Sequence, residues 1–334
     1  MKNILLTGGA GYVGSHTYVD LVKNRYSPII VDNFANSYKS VIGKLEKITK
    51  KKVDFYNCDV TDIKFLEKIF KTRKIDAVIH FAALKSIPES YLNPKKFNKT
   101  NVIGTRNLLK LSKKYNCNIF VFSSSAAIYD SRNHLPFREN SQIKATNPYA
   151  YSKIKSEELI KKHSQKNKEF KYVILRYFNP VGSHSSGIIG EFPKKRMGNL
   201  MPEICKVAAK KKKFLKIFGN NYDTFDGSCI RDFIHVSDLS SGHLAAIKYL
   251  KKKNICNVFN LGTGHGTSVL SLVNNFVKIN RVKIPLKIFD KRKGDTDKSF
   301  ANVKYAMNEL NWKSTKSISQ MCKTSWKLYK NFYK

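Results

Sequence analysis

Short runs of β-branched and aromatic residues alternate with amphipathic stretches through the first half of the chain. The short runs predict six strands, at Asn3 to Thr7, Pro28 to Val31, Val53 to Tyr56, Asp76 to His80, Asn118 to Phe122 and Tyr172 to Leu175. The stretches between them predict helices, among them Ser15 to Asn24, Ile63 to Phe70 and Val102 to Lys114. Regular alternation of strand and helix predicts an α/β fold, in which a doubly wound parallel sheet carries helices on both faces.

The regular alternation of strand and helix ends after Asn179-Pro180. Glycine and serine loops follow between Gly182 and Gly190, and then shorter mixed elements, of which Leu200 to Lys210 is predicted to be helical. We therefore expect two regions, a larger one over residues 1–180 and a smaller α/β region over residues 181–334.

A glycine-rich segment lies between the first predicted strand and the first predicted helix. Gly8 permits a tight turn, Gly11 lets the backbone approach a pyrophosphate, and Gly14 lets the helix pack close to the sheet. Phosphates then bind the free N–H groups at the helix N-terminus. Because the segment stands at the start of a series of βα units, it favours a Rossmann-type dinucleotide site over a glycine-rich turn without a ligand.

Two aspartates at strand ends refine the expected cofactor. Asp32 closes the second strand, 18 residues beyond Gly14, where a carboxylate accepts hydrogen bonds from ribose hydroxyls and repels a 2′-phosphate. NAD is therefore favoured over NADP. Asp59 follows the third strand and either contacts the adenine or caps the next helix, and the sequence leaves both interpretations open.

Tyr149 and Lys153 are spaced i, i+4 at the start of a predicted helix, so both side chains lie on one face. A phenol has a reference pKa of ~10, and it needs nearby positive charge to act as a base at neutral pH. The Lys153 ammonium and a cationic nicotinamide are the expected sources. Ser125, at the end of the fifth strand, is the expected hydroxyl that hydrogen-bonds the reacting oxygen; a run of serines that only ends the strand is the alternative.

The chain of 334 residues has a formal net charge of +38, from 62 basic and 24 acidic residues. Only 10 of the basic residues are Arg, and the Lys residues are spread along the whole chain. Proteins that read bases or clamp phosphates usually rely on the planar fork of Arg. The charge is therefore interpreted as solvated surface rather than a specific nucleic-acid site, although its field would attract an anionic small substrate.

Other sequence features exclude further classes of protein. No apolar run approaches the ~20 residues of a membrane helix, and the first strand begins too early for a signal peptide. The six cysteines are scattered, without a Cys-x-x-Cys pair or a neighbouring His cluster, so we expect neither a disulfide framework nor a metal site. These features predict a reduced, cytoplasmic protein without a membrane anchor.

Further motifs make the chain similar to a known family. It resembles the extended short-chain dehydrogenase/reductases over nearly its whole length, and within them the enzymes that epimerise UDP-hexoses. The stretches that carry the resemblance are TGGAGYVGSH at 7–16, VIHFAALK at 78–85, FSSSA at 122–126, LRYFNPVG at 175–182, NLMP at 199–202, IFGN at 217–220, RDFIHV at 231–236 and NLG at 260–262. The resemblance implies reversible interconversion of UDP-galactose and UDP-glucose through a 4-keto intermediate, with transient hydride transfer to bound NAD.

The resemblance also implies site residues. Besides the three glycines, the NAD site would comprise Tyr12, Val13, Asp32, Asn33, Phe34, Ala35, Asn36, Ser37, Asp59, Val60, Phe81, Ala82, Ala83, Leu84, Lys85, Thr100, Ser125, Tyr149, Lys153 and Phe178. The UDP-sugar, held by residues 181–334 and neighbouring positions, would contact Ser125, Tyr149, Asn179, Asn199, Leu200, Ile217, Phe218, Arg231, Arg292, Asp295 and Ser299. Thr100 departs from the family, which usually has Asn at this position.

Two finer expectations follow from the resemblance. Ser299 occupies a position that gates the sugar pocket in the family, and a small residue there predicts that UDP-N-acetylhexosamines are also accepted, unless a bulky neighbour such as Phe300 fills the space. A homodimer would form through helices near 98–115 and 150–165, although both stretches also suit ordinary surface helices.

Two other functions fit the sequence less well than epimerisation. A 4,6-dehydratase would need an acid and a base beside the serine, but Ala126 and Ala127 follow Ser125 and offer no carboxylate. A binding module that has lost catalysis conflicts with the intact Ser125, Tyr149 and Lys153.

Overall fold

The computed structural model describes residues 2–194, 199–253, 255–292 and 294–333. Its strands are β1 (Asn3–Thr7), β2 (Ser27–Asp32), β3 (Asp54–Asn57), β4 (Ala77–His80), β5 (Ile119–Ser125), β6 (Lys171–Tyr177), β7 (Asn179–Val181), β8 (Leu215–Phe218), β9 (Ile230–Arg231), β10 (Phe233–His235), β11 (Asn257–Leu261), β12 (Thr267–Ser268), β13 (Leu286–Phe289) and β14 (Lys298–Ser299).

The helices are α1 (Tyr12–Lys23), α2 (Val41–Thr49), α3 (Ile63–Thr72), α4 (Ile87–Leu92), α5 (Pro94–Phe97), α6 (Gly104–Lys114), α7 (Pro148–Lys166), α8 (Leu200–Ala208), α9 (Val236–Lys252), α10 (Val269–Asn280), α11 (Lys304–Leu310) and α12 (Ile318–Tyr333). A π-helical segment (Asn98–Ile103) precedes α6, and a 3₁₀ turn (Ala126–Ile128) follows β5.

Seven parallel strands form the central sheet, in the order β11-β6-β5-β4-β1-β2-β3. The strand order reverses at β1, so the predicted doubly wound parallel sheet is confirmed. All six predicted strands belong to this sheet. The continuous apolar runs are explained by burial on both faces: Val78 and Phe120 belong to the core on one face, while Ile79 and Val121 belong to the core on the other.

The helix predicted over residues 102–114 differs from the structure in its first turn. That turn is π-helical, and regular α-helix begins only at Gly104. Side-chain hydroxyls of Thr105 and Ser156 donate to the Asn101 carbonyl at 2.7 and 3.1 Å. The amide of Asn101 also bonds the Ser152 hydroxyl at 2.8 Å. This buried polar cluster accounts for the local departure from α-helix, which hydrophobic periodicity cannot report.

After residue 180 the chain builds smaller sheets and returns once to the central one. The smaller sheets pair β10 with β7, β12 and β14 with β9, and β13 with β8. Between them, β11 adds the seventh strand of the central sheet beside β6, and α9 packs against α1. The second region therefore completes the first, and the expected boundary at residue 180 stays a prediction.

The carboxyl ends of β1, β2, β4 and β5 point toward the second region, where an open α/β sheet places its ligands. A cavity of about 1360 Å³ lies there, between the sheet and residues 181–299. No helix within the described ranges is both long and apolar enough to cross a membrane.

Candidate active site

The glycine-rich segment forms a turn that only glycine fits. Gly8 has a φ of +72°, and a Cβ there would lie 2.7 Å from the backbone nitrogen of Ala82. A Cβ on Gly14 would fall against the Gly8 carbonyl oxygen. Helix α1 begins at Tyr12 after Gly11, and no side chain caps it, so its first N–H groups remain available to an anion. The cradle fits the pyrophosphate of a dinucleotide.

Asp32 lies at the end of β2, beside this turn. Its carboxylate accepts hydrogen bonds from the backbone of Ala10 at 3.0 Å and of Phe34 at 2.8 Å, and from the Ser37 hydroxyl at 2.9 Å. Burial raises the pKa of Asp32, and the three hydrogen bonds oppose that effect. These contacts fix the carboxylate at the rim of the cavity, where a ribose would reach it.

Asp59 does not cap the helix that follows it, so that interpretation is wrong. Asp62 caps α3 instead, accepting a hydrogen bond from the Phe65 backbone at 3.0 Å. Asp59 accepts hydrogen bonds from Thr61 and, at 2.6 Å, from the Asn33 amide. Burial raises the pKa of Asp59, but these hydrogen bonds outweigh it and the net shift is downward. The ionised side chain lines the cavity.

The structure brings Ser125, Tyr149 and Lys153 together on one wall of the cavity. Helix α7 starts with Pro148 after an Asn147 cap, whose side chain accepts from the Ala150 backbone at 2.8 Å. Tyr149 is therefore in the first turn and Lys153 lies one turn later. The Lys153 ammonium donates to the Ser123 carbonyl at 2.8 Å, next to the strand end that carries Ser125.

Burial shifts the pKa values of Tyr149 and Lys153 in opposite directions. It raises the pKa of the Tyr149 phenol, which the Ser125 hydroxyl partly offsets, and it lowers the pKa of Lys153 to about 7. Glu157, one further turn along α7, favours the charged form of Lys153. The protein's own groups thus raise the phenol pKa, whereas the second expected source of positive charge, a cationic nicotinamide, would lower it.

Behind this wall lies a buried polar network that sequence reasoning missed. Glu157 accepts from the Ser124 hydroxyl at 2.6 Å and from the Arg176 guanidinium at 3.0 and 2.7 Å. Arg176 also bonds the Tyr129 hydroxyl at 3.3 Å. The network holds β5, β6 and α7 in one arrangement and so fixes the backbone that carries the three reactive side chains. The only sign of this network in the sequence is the position of Glu157, four residues after Lys153.

Two arginines, Arg231 and Arg292, also line the cavity. Arg231 donates to the Thr296 carbonyl at 2.8 Å and lies 3.6 Å from the Asp295 carboxylate. The Arg292 guanidinium lies 3.9 Å from the centre of the Phe218 ring. Ser299 pairs with Arg231 in the register of β14 and β9. Fixed guanidiniums of this kind suit a diphosphate.

With one exception, the residues predicted from the sequence for the three parts of the site all line this cavity. The exception is Phe34, which is buried in the core and whose backbone carbonyl accepts a hydrogen bond from the Lys194 ammonium at 2.8 Å. The structure adds Glu191 to the lining; its carboxylate contacts Lys85 at 3.0 Å and Asn199 at 2.5 Å. No motif drew attention to Glu191, because it lies in an irregular loop.

A family model described as "NAD dependent epimerase/dehydratase family" matches residues 4–262. A UDP-glucose 4-epimerase of Dictyostelium discoideum is 44% identical over 325 residues, covering 97% of this chain and 94% of that protein. The chain belongs to the NAD-dependent epimerase/dehydratase family.

Solved structures of this family share the fold over nearly the whole chain. A UDP-glucose 4-epimerase of Stenotrophomonas maltophila, with bound NAD and a formylated UDP-arabinopyranose, is 38% identical with a TM-score of 0.97, covering 99% of both chains. One from Bifidobacterium longum, in complex with NAD⁺ and UDP, is 40% identical with a TM-score of 0.95, covering 99% of this chain and 98% of that one. The resemblance seen in the sequence is confirmed, including the NAD-dependent class of enzyme.

Proposed function

We propose that the protein is a UDP-hexose 4-epimerase that interconverts UDP-galactose and UDP-glucose and uses NAD as a bound cofactor. The observation that carries the proposal is one cavity with three components. The glycine-rich turn and Asp32 would hold NAD, and Ser125, Tyr149 and Lys153 line the same cavity as that turn and the two arginines. The similarity to UDP-glucose 4-epimerases over nearly the whole chain supports the same conclusion.

The reacting centre requires a base, and Tyr149 is suited to that role. Its phenolate would take the proton of the C4 hydroxyl, and the Ser125 hydroxyl would hydrogen-bond the same sugar oxygen. When bound, NAD supplies a hydride acceptor for C4 and a positive charge next to the phenol. Lys153 adds a second positive charge whenever it is protonated, and the Ser123 carbonyl holds its ammonium in place. On return of the proton, Tyr149 would act as the acid.

Inversion at C4 requires that the sugar turn over while the nucleotide stays in place. Arg231 and Arg292 would hold the diphosphate, and Asp295, in contact with Arg231, would accept a hydroxyl of the uridine ribose. Contacts from Asn179, Asn199, Leu200, Ile217 and Phe218 would complete the nucleotide site. Binding energy is thus concentrated on the part of the substrate that does not react.

We extend the proposal to UDP-N-acetylhexosamines on the strength of Ser299. This small side chain lines the cavity beside Arg231. The alternative is that Phe300 fills the space. The Phe300 carbonyl accepts a hydrogen bond from the Phe137 backbone at 3.0 Å, and its ring lies next to Gly266, which supports open space beside Ser299.

The division of the chain into two regions, its oligomeric state and its location belong to the same proposal. Residues 1–180 would mainly supply the NAD site and residues 181–334 the UDP-sugar site. A homodimer would form through helices near 98–115 and 150–165, an idea supported by the exposed Leu92 and Tyr151 at or beside these helices. A reducing, cytoplasmic location is in keeping with six free cysteines.

Incubation with UDP-galactose, followed by NMR of the product sugar, tests the proposal. We expect a mixture of UDP-glucose and UDP-galactose that is also reached from UDP-glucose. A 4-keto-6-deoxy product would instead identify a dehydratase. Unchanged UDP-galactose, together with salt-sensitive binding of a nucleic acid, would identify a polyanion-binding module.

A further inference from the structure

Glu191 makes an unexpected contribution to the cavity wall. A buried carboxylate is unfavourable in a cavity expected to hold two diphosphates, unless it has a local role. One oxygen of Glu191 accepts from both the Lys85 ammonium, at 3.0 Å, and the Asn199 amide, at 2.5 Å. Lys85 follows β4 on the cofactor side, whereas Asn199 precedes α8 on the UDP-sugar side. Glu191 therefore joins the two sides of the site through a single atom.

Residues 191–194, which we term the crossing segment, continue from this junction over the cofactor side. The Lys194 ammonium donates to the Phe34 carbonyl at 2.8 Å and lies 5.2 Å from the centre of the Tyr38 ring. Phe192 anchors the middle of the segment on α12, with its ring centre 3.8 Å from that of Phe332. The segment is thus attached to the loop after β2 at one end and to the loop after β4 at the other.

The sheet order shows what lies between these two attachments. Strands β4 and β2 flank β1 on either side, and the glycine-rich turn follows β1. Attachments to the loops after β2 and β4 therefore straddle that turn. A dinucleotide bound at the turn would leave past the crossing segment.

We propose that Glu191 and Lys194 are positioning residues that hold the crossing segment over bound NAD, and that a uridine nucleotide strengthens this hold through Asn199. The inference rests on the proposed function, since it takes the cofactor and nucleotide from it. A nucleotide that orders Asn199 also orders the oxygen of Glu191 to which Asn199 is bonded, and so couples the two ligands. NAD release becomes slow, and slower still when the nucleotide side is filled.

The experiment measures exchange of bound NAD for radiolabelled NAD in the purified holoenzyme, with and without UDP. We expect Lys194→Met and Glu191→Ala to exchange NAD about tenfold faster than the wild type, because each loses a hydrogen bond to a charged group. Lys194→Arg should restore slow exchange. UDP should slow exchange in the wild type and in Lys194→Met, but not in Glu191→Ala.

Lys39→Met is the matched control. Lys39 carries the same charge near the same loop, and no side-chain partner is found for it among the described residues. Its variant should exchange NAD within about twofold of the wild type. Equal exchange rates in Lys194→Met and Lys39→Met would overturn the proposal, as would an undiminished UDP effect in Glu191→Ala. If Glu191→Ala does not fold, the two lysine variants decide alone. A failure of UDP-galactose turnover would be seen separately, by NMR.

Discussion

Glu157 and Arg176 form a two-point ion pair, with distances of 3.0 and 2.7 Å, directly behind the reactive wall of the cavity. Their side chains are only 1% and 3% exposed. An ion pair this deeply buried holds β5, β6 and α7 in one arrangement. Removal of either side chain destabilises the fold, because the remaining charge is buried without its partner.

We therefore expect Arg176→Met to lower the free energy of unfolding by about 3–5 kcal/mol, because Glu157 would be left charged and buried. Urea denaturation measures the change. The exposed pair of Arg73 and Asp54, at 2.9 Å, provides the control. Arg73→Met should cost no more than about 1 kcal/mol. A loss in Arg176→Met as small as that of the control would show that the buried pair does not stabilise the fold.

Tyr149→Phe should bind NAD and UDP normally and lose most of its turnover. The substitution preserves the buried ring and removes only the oxygen that moves the proton, and loss of a general base lowers kcat by ~10²–10⁴-fold. Tyr151→Phe is the matched control, since Tyr151 lies on the same helix with 48% of its surface exposed. Turnover of UDP-galactose measures both. Similar rates in the two variants would mean that another group is the base.

Lys153→Met should stabilise the fold in a pH-dependent way. The pKa of Lys153 is lowered to about 7 in the folded protein from 10.5, so the unfolded chain binds more protons between these values and wild-type stability rises with pH there. The cost of burying the ammonium is fully present below about pH 7 and fades above it. We expect the variant to be more stable than the wild type near neutrality and below, with a difference that shrinks toward about pH 10.

Urea denaturation at several pH values tests this expectation, with the exposed Lys155 as the control. Lys155→Met should show no such trend. A stability difference between Lys153→Met and the wild type that grows with pH would contradict the assigned direction. Turnover should fall in Lys153→Met chiefly at and below about pH 7, where wild-type Lys153 carries a positive charge near the phenol that the variant lacks.

Ser299→Tyr should narrow the range of substrates. A tyrosine beside Arg231 would take the space that a 2-N-acetyl group needs as the sugar turns, while leaving UDP-glucose and UDP-galactose accommodated. We expect kcat/KM for the N-acetylated pair to fall by about tenfold or more relative to the unsubstituted pair. Ser299→Ala is the control and should keep the wild-type kcat/KM for both pairs of substrates. Equal effects on the two substrate pairs would show that this position does not select between them.

The sequence predicted the central sheet well because buried parallel strands and glycine turns leave strong local signals. The strands up to β6, the turn at Gly8 and the start of α7 all follow from such patterns. The small sheets after residue 180 were not predicted. Strands as short as β9 and β12 form through tertiary pairing and are too short to show a periodic pattern in the sequence.

The expected site residues gather in one cavity, with the exception of Phe34, because motifs at strand ends converge on one edge of a parallel sheet. Glu191 and the Glu157–Arg176 pair were missed, because a buried charge is recognised by its partner and the partners are distant in sequence. The lowered pKa expected for Tyr149 in the presence of NAD stays a prediction, because burial, which the sequence does not quantify, raises that pKa and opposes the effect of a nearby ammonium.

The late return of the chain to the central sheet has a consequence for its biosynthesis. Strand β11 covers the edge of β6, and α9 covers α1. The central sheet and the packing around α1 are therefore incomplete until residue 261 has left the ribosome. Until then the nascent chain carries an open strand edge and an uncovered apolar helix face, both of which favour aggregation. We expect truncated chains ending near residue 180 to be rescued by chaperones or degraded rather than to accumulate with NAD bound.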